Sequence, residues 1–189
     1  MLTMRQNTTR LVSKTFYRRY RLAMNYIIIV LLLSIVTAEK ELREVQFMKS
    51  FSKHIGNIVL ECKDTMKLGP DVIKVYLEFW NTAYNLEDKM AGCVVACIFD
   101  KLDLLDEGGS LKHDNVEAFL TANKADDKMI GSITQLYHVC LDAAMSKNLK
   151  DGCLLGLEIA KCFRFGIFTL HWAPPFGVDY RDEPDDTTD

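Results

Sequence analysis

Proline and glycine are scarce in this chain. Its 189 residues include four prolines and ten glycines, and no proline interrupts residues 71–173. The sequence also lacks internal repeats and the βαβ rhythm of a parallel sheet. Apolar residues instead recur at steps of three and four, which is the period of an amphipathic helix. The sequence therefore predicts an all-α fold.

The signatures of metal sites and hydrolases are absent as well. The chain contains no CxxC pair and no GxSxG motif, and its four histidines are widely spaced. A structural zinc site needs a tight group of thiol and imidazole ligands, and GxSxG marks the nucleophile of α/β-hydrolases. His113 and Asp114 are adjacent, but neighbouring residues on a helix point in different directions. We therefore expect no metal, no cofactor and no enzymatic activity.

The chain also has no apolar run of the length that a membrane span requires. Residues 26–36 read YIIIVLLLSIV, a run of 11, whereas a span needs about 18 residues. Six basic residues and no acidic residue precede this run, and residues 36–38 (VTA) place small side chains where signal peptidase cleaves. The pattern predicts a signal peptide over residues 1–38 and a secreted, extracellular protein, with an uncleaved anchor or a short buried helix as the alternative.

Without residues 1–38 the chain has far fewer basic than acidic residues. The whole chain carries a formal charge of −3, and residues 1–38 hold six of its 23 basic residues and none of its 26 acidic residues, which leaves −9 on residues 39–189. A domain of this charge repels phosphate backbones and anionic lipid. We expect no nucleic-acid partner.

Six cysteines are present, and all of them follow residue 38. An even number in an exported domain predicts three disulfides. Cys93 and Cys97 lie four residues apart on a predicted helix, so their thiols share one face and are poorly placed to bond to each other. Excluding that pair removes three of the 15 possible sets of pairings and leaves the others open.

The apolar periodicity divides the rest of the chain into helices. An apolar stripe runs through residues 42–62, and further helices are predicted over residues 71–76, 87–102, 113–121, 127–146 and 152–168. Together they predict one helical domain over residues 39–176. Residues 177–189 contain six acidic residues and only two sizeable apolar ones, so we expect a disordered acidic tail there.

The spacing of the cysteines resembles that of insect odorant-binding proteins. The gaps between successive cysteines are 30, 3, 42, 12 and 8 residues. Phe79-Trp80, Gly92-Cys93, Lys101-Leu102 followed by LLD at 104–106, and LHWAP at 170–174 are similar to motifs of the pheromone-binding proteins of moths. The similarity extends from about residue 45 to residue 174.

This resemblance implies a fold and a function. The fold is six or seven helices around an internal apolar cavity, with the disulfides Cys62–Cys97, Cys93–Cys153 and Cys140–Cys162. The function is that of a carrier in the sensillum lymph, which binds a small apolar volatile ligand, such as a long-chain alcohol, acetate or aldehyde, and delivers it to membrane receptors. A pH-dependent homodimer is a further expectation. The alternatives are a general odorant carrier, a non-olfactory lipid or fatty-acid carrier, and a saposin-like membrane-active protein.

The resemblance also implies a ligand-binding set. Its members are Ser52, Ile55, Phe79, Trp80, Val95, Phe99, Leu104, Leu105, Leu111, Phe119, Thr134, Tyr137 and Phe163. Phe99 stands where relatives often carry a serine that binds the polar group of the ligand, so Ser52, Thr134 and Tyr137 become the candidates for that contact. Ile55 likewise replaces an aromatic residue of the relatives.

Relatives release their ligand in acid, and part of that apparatus has counterparts here. His113, His138 and Asp106 match positions around the loop that acts as a lid, whereas Lys112 replaces one of two adjacent histidines. Histidine changes charge between pH 5 and 8, so a switch at this loop is chemically available. The C-terminal tail of relatives also enters the cavity in acid; with Pro184 and six acids in this tail, we expect weak insertion or none.

Overall fold

The structure is a computed structural model that describes residues 4–182; for residues 4–23, 36–41 and 45 it describes the backbone alone. The described residues form six α-helices and one short 3₁₀-helix. The helices are α1 (Met4–Thr65), α2 (Asp71–Glu78), α3 (Lys89–Lys101), α4 (His113–Ala122), α5 (Asp127–Met145), α6 (Gly152–Thr169) and the 3₁₀-helix (Tyr180–Asp182). Within residues 4–182 the only β-type pairing is an isolated bridge between Leu105 and Leu111. The predicted all-α fold is confirmed.

Contacts divide the chain into two units, one up to Arg43 and one from Glu44 onward. The first unit is helical from Met4, and its large apolar side chains between Met24 and Ile35 are exposed to solvent. Among the described residues, no helix has both the length and the apolar character needed to cross a bilayer. The signal peptide over residues 1–38 stays a prediction.

Side-chain caps explain why three helices of the second unit begin where they do. The carboxylate of Asp88 accepts a hydrogen bond from the backbone N–H of Met90, and Asp126 accepts one from Met129. Asp151 accepts from two backbone N–H groups at the start of α6. Each cap satisfies donors that the first turn of a helix leaves free. These starts lie within two residues of those predicted from the sequence.

A close crossing of α3 and α6 organises the second unit. A Cβ atom added to Gly92 would lie 1.8 Å from the carbonyl oxygen of Cys153, and one added to Gly156 would lie 2.3 Å from the carbonyl oxygen of Gly92. Glycine at both positions therefore allows the two backbones to touch. Cys93 bonds to Cys153 at this crossing, with 4.1 Å between their Cα atoms.

Three disulfides join four of the helices, and no cysteine of the chain is free. One bridge ties α1 to α3, a second ties α3 to α6, and a third ties α5 to α6. Their pairings are Cys62–Cys97, Cys93–Cys153 and Cys140–Cys162. Such a cross-link typically stabilises a domain by about 2–4 kcal/mol. The pairing implied by the resemblance is confirmed.

The structure differs from the predicted disordered tail over part of residues 177–189. Residues 177–182 pack against the domain, where Tyr180 is only 2 % exposed and its hydroxyl donates a hydrogen bond to the carbonyl of Pro175 over 3.1 Å. The packed part of the chain therefore continues past residue 176, and the domain boundaries stay a prediction. Residues 183–189 lie outside the described residues.

Two further contacts explain why so polar a segment packs. The backbone N–H of Gly177 donates to the carbonyl of Leu77 over 2.9 Å. The guanidinium of Arg181 binds Asp179 and lies 5.9 Å from the ring centre of Tyr76. An acid that pairs with a neighbouring cation costs little to bring against the domain, so the count of acidic residues alone misled the prediction.

Candidate functional site

A cavity of about 110 Å³ lies inside the second unit. Side chains from α1, α2, α3, α5 and α6 form its wall, and the two residues after α2 complete it. Of the residues predicted to bind ligand, the structure places these in the wall: Ser52, Ile55, Phe79, Trp80, Val95, Phe99, Tyr137 and Phe163. An engineered apolar cavity of about 150 Å³ binds benzene, and the volume of this cavity is of the same order.

Aromatic rings make up much of the wall. The rings of Tyr137 and Phe163 stack with their centres 4.8 Å apart, and Phe99 meets Tyr137 edge-on at 5.9 Å. Phe79 and Trp80 meet edge-on at 4.8 Å. Such arrangements are favourable for aromatic pairs and give a large apolar contact area.

An arginine on α6 holds the loop that carries Trp80. Arg164 donates to the backbone carbonyls of Tyr84, over 3.0 Å, and of Asn81. Its guanidinium also lies 5.8 Å from the ring centre of Phe168, against which Trp80 packs edge-on. The loop after α2 is thereby fixed against α6, and Trp80 is held in the wall.

Other predicted ligand-binding residues lie elsewhere in the described part of the chain. They are Leu104, Leu105, Leu111, Phe119 and Thr134. The three leucines belong to the loop between α3 and α4 and pack into the core, and the bridge described above closes that loop. Phe119 contacts Phe51 edge-on at 5.6 Å and so lies behind a wall residue. Thr134 is half-buried.

The wall also contains residues that the prediction omitted. They are Phe51, Val59, Val72, Val75, Tyr76, Ala91, Val94, Ile98, Ile159 and Ala160. On α1 these positions continue the apolar stripe, which marks a buried face. The stripe does not show whether that face borders a hollow or a packed interior. The sequence therefore predicted that these residues are buried, but not that they line a cavity.

Three hydroxyl groups border the cavity, and no charged side chain lines it within the described residues. The hydroxyl of Tyr76 donates to the backbone carbonyl of Ser52 over 2.9 Å. Burial raises the pKa of Tyr137, which keeps its phenol neutral. The hydroxyl oxygen of Ser52 is buried and has no hydrogen-bond partner among the described residues. The site can therefore hold a neutral apolar molecule and offers a hydrogen bond to it.

Two of the predicted switch residues meet at the start of α4. The Nε2 atoms of His113 and His138 lie 3.1 Å apart, which is hydrogen-bond distance when one nitrogen carries a proton and the other accepts it. Asp106, the third predicted switch residue, stabilises the loop between α3 and α4. Its carboxylate accepts hydrogen bonds from the backbone N–H groups of Gly108 and Ser110.

Lys112, which directly precedes α4, forms an ion pair. Lys112 Nζ lies 2.7 Å from Asp103 Oδ1, and Asn115 donates to the carbonyl of Asp103 over 2.7 Å. The hydrogen bond from Lys112 lowers the pKa of Asp103 below its ordinary value of 3.8. A lowered carboxyl pKa means that the stabilisation is present above the ordinary value and is lost only as the pH falls through the lowered one. This pair therefore stays intact through the range in which histidine titrates.

Comparisons with known proteins agree with this geometry. Residues 44–165 match the model of the PBP/GOBP family. Pheromone-binding protein 2 of Epiphyas postvittana is 34% identical over 113 residues, which cover 60% of this chain and 67% of the relative. General odorant-binding protein 2 of Antheraea pernyi is 25% identical and covers 77% of this chain and 85% of the relative.

A solved structure is similar as well. The crystal structure of pheromone-binding protein 3 of Epiphyas postvittana superposes with a TM-score of 0.55 and 32% identity, over 62% of this chain and 98% of that chain. Family model, relatives and fold point to one assignment, which confirms the resemblance seen in the cysteine spacing. The chain belongs to the PBP/GOBP family, whose members are carriers of small hydrophobic molecules and not enzymes.

Proposed function

We propose that this protein is a secreted carrier that takes up a neutral odorant or pheromone, such as a long-chain alcohol, acetate or aldehyde, and brings it to membrane receptors through the sensillum lymph. The names of the relatives support an odorant or pheromone as the cargo. The observation that carries the proposal is the wall itself, which is apolar and aromatic and contains no charged side chain among the described residues.

Two energies favour a neutral guest in this cavity. Each buried CH₂ group of the guest contributes about 0.8 kcal/mol. A buried carboxylate that finds no cation costs several kcal/mol. Alcohols, acetates and aldehydes gain the first contribution without the cost of burying a charge. An ionised fatty acid gains the same contribution from its CH₂ groups but also bears that cost. The proposal therefore favours a pheromone-type cargo over the fatty-acid alternative.

A head-group series tests this proposal. At pH 7.5 we expect the methyl ester of a long-chain fatty acid to displace a fluorescent apolar probe at a concentration about 100-fold lower than the ionised acid of equal chain length. The matching alcohol and acetate serve as further neutral ligands. Equal displacement by ester and acid would show instead that the cavity accepts fatty acids.

Release of the ligand in acid is the second part of the proposal. When both His113 and His138 carry a proton, neither Nε2 atom can accept a hydrogen bond, and the two positive charges repel each other. The contact between the start of α4 and α5 is then weakened beside the lid loop. Lys112 and Asp103 remain paired, so we assign the response to the contact between His113 and His138.

We expect the affinity for a neutral alcohol to fall about five- to tenfold between pH 7 and pH 5, which corresponds to about one kcal/mol of repulsion. A neutral ligand is needed because its own charge does not change. His138→Gln keeps a polar side chain at this position without the titration, and we expect it to remove most of the pH dependence. An unchanged pH profile in this variant would exclude the histidine pair as the switch.

A further inference from the structure

The hydroxyl group of Ser52 is buried and makes no hydrogen bond to the described residues. The residue is 3% exposed, and its Oγ atom has no hydrogen-bond partner among the described residues. Serine within a helix commonly bonds back to the carbonyl four residues earlier, and Ser52 does not. Buried polar groups of native proteins are nearly always satisfied, so an orphan hydroxyl calls for an explanation.

The position of Ser52 supplies that explanation. Its side chain lines the cavity, as does that of Tyr76. The backbone carbonyl of Ser52 already accepts the hydroxyl proton of Tyr76. Among the three hydroxyls of the described wall, Ser52 therefore has an O–H that no protein acceptor takes, whereas the O–H of Tyr76 is engaged.

We propose that the Ser52 hydroxyl donates a hydrogen bond to the oxygen atom of the ligand and so determines which apolar molecules the cavity selects. The inference rests on the proposed carrier function and deepens it. Alcohol, aldehyde and ester oxygens all accept such a bond, whereas a plain hydrocarbon leaves the hydroxyl buried and unpaired. A site built to hydrogen-bond its ligand discriminates against the analogue that lacks the polar atom.

This assignment favours Ser52 among the three candidate anchors. Thr134 lies outside the wall of the cavity, and Phe99 lines it without a hydroxyl. Tyr137 also lies in the wall, but the Ser52 oxygen is the wall hydroxyl that is fully buried without a partner among the described residues. A hydrogen bond from Ser52 places the oxygen of the ligand beside α1 and Tyr76.

Two ligands of equal size test the inference. Dodecanal and tridecane have the same number of non-hydrogen atoms, and each is used to displace a fluorescent apolar probe from the wild-type chain and from Ser52→Ala. We expect the wild type to prefer dodecanal by about fivefold, the contribution of one hydrogen bond. We expect Ser52→Ala to lose this preference, because the aldehyde oxygen is then buried without a partner, and to bind tridecane at least as well as the wild type does.

Ser50→Ala is the matched control. It makes the same substitution on the same helix, but the hydroxyl of Ser50 donates to Asn123 over 3.1 Å. We expect Ser50→Ala to keep the preference for dodecanal even if the substitution lowers the stability of the protein. A preference that survives in Ser52→Ala, or that disappears in Tyr137→Phe instead, would overturn the assignment. Failure of both ligands to displace the probe from the wild type would overturn the carrier function itself.

Discussion

We expect Gly92→Ala to lower the free energy of unfolding by about 3 kcal/mol. The added Cβ would lie 1.8 Å from the carbonyl oxygen of Cys153 and 2.6 Å from the amide nitrogen of Leu157. Both are backbone atoms of α6, so no side chain can turn aside to make room. The helices themselves would have to separate, and the disulfide between Cys93 and Cys153 resists that movement.

Gly131→Ala is the matched control for this substitution. Gly131 lies in α5, and an added Cβ meets nothing within 4 Å. Alanine is the better helix former by about 0.5–1 kcal/mol, so we expect a small gain in stability. Urea unfolding with the disulfides intact compares the two variants. A Gly92→Ala variant as stable as the wild type would contradict the close crossing of α3 and α6.

Helix positions could be predicted from the sequence because local signals set them. The aspartates that cap α3, α5 and α6 stand directly before apolar periodic segments, and the first residues of α2, α4, α5 and α6 are those predicted. The disulfide pairing was not local in this way. Helix geometry excluded only Cys93–Cys97, and the resemblance supplied the remainder.

The wall of the cavity was predicted in part, for a physical reason. Ser52, Ile55 and Phe163 lie in it as expected, but a helical period identifies a buried face without showing what that face borders. Leu104 and Leu111 lie in the loop between α3 and α4, outside any helical period, and they pack into the core and not against the hollow. Where the helices leave a gap depends on how they cross.

The packing of residues 177–182 could not be predicted from composition. One aromatic side chain, Tyr180, supplies the burial, and the pairing of Asp179 with Arg181 reduces the net charge that is brought against the domain. Hydrogen bonding by Arg181 lowers the pKa of Asp179, as expected for such a pair. The average composition of 13 residues does not show contacts that four of them make.

The second large effect that we expect is the quenching of Trp80 by a bound ligand. The chain has two tryptophans. Trp80 lines the cavity, whereas Trp172 packs edge-on against Phe47 at 6.4 Å, outside the described wall. A bromine atom on an alkyl alcohol quenches indole fluorescence only when the two are in contact. A brominated ligand inside the cavity should therefore quench the emission of Trp80 and leave that of Trp172 largely unchanged.

A blocked cavity is the matched control for that experiment. Val94 lies in the wall and is 5% exposed, so Val94→Phe places additional side-chain volume in the hollow. Displacing about two CH₂ groups of the guest costs about 1.6 kcal/mol, so we expect quenching to require about a tenfold higher ligand concentration. Circular dichroism confirms that the variant has kept its helices.

The central claim is that the hollow inside the helical unit holds the ligand. The direct measurement is titration of Trp172→Phe, which retains Trp80, and of Trp80→Phe, which retains Trp172, with a bromoalkyl alcohol. We predict saturable loss of most of the emission in the first variant and little change in the second. Equal quenching of both tryptophans, or quenching of neither, would contradict a ligand site inside this cavity.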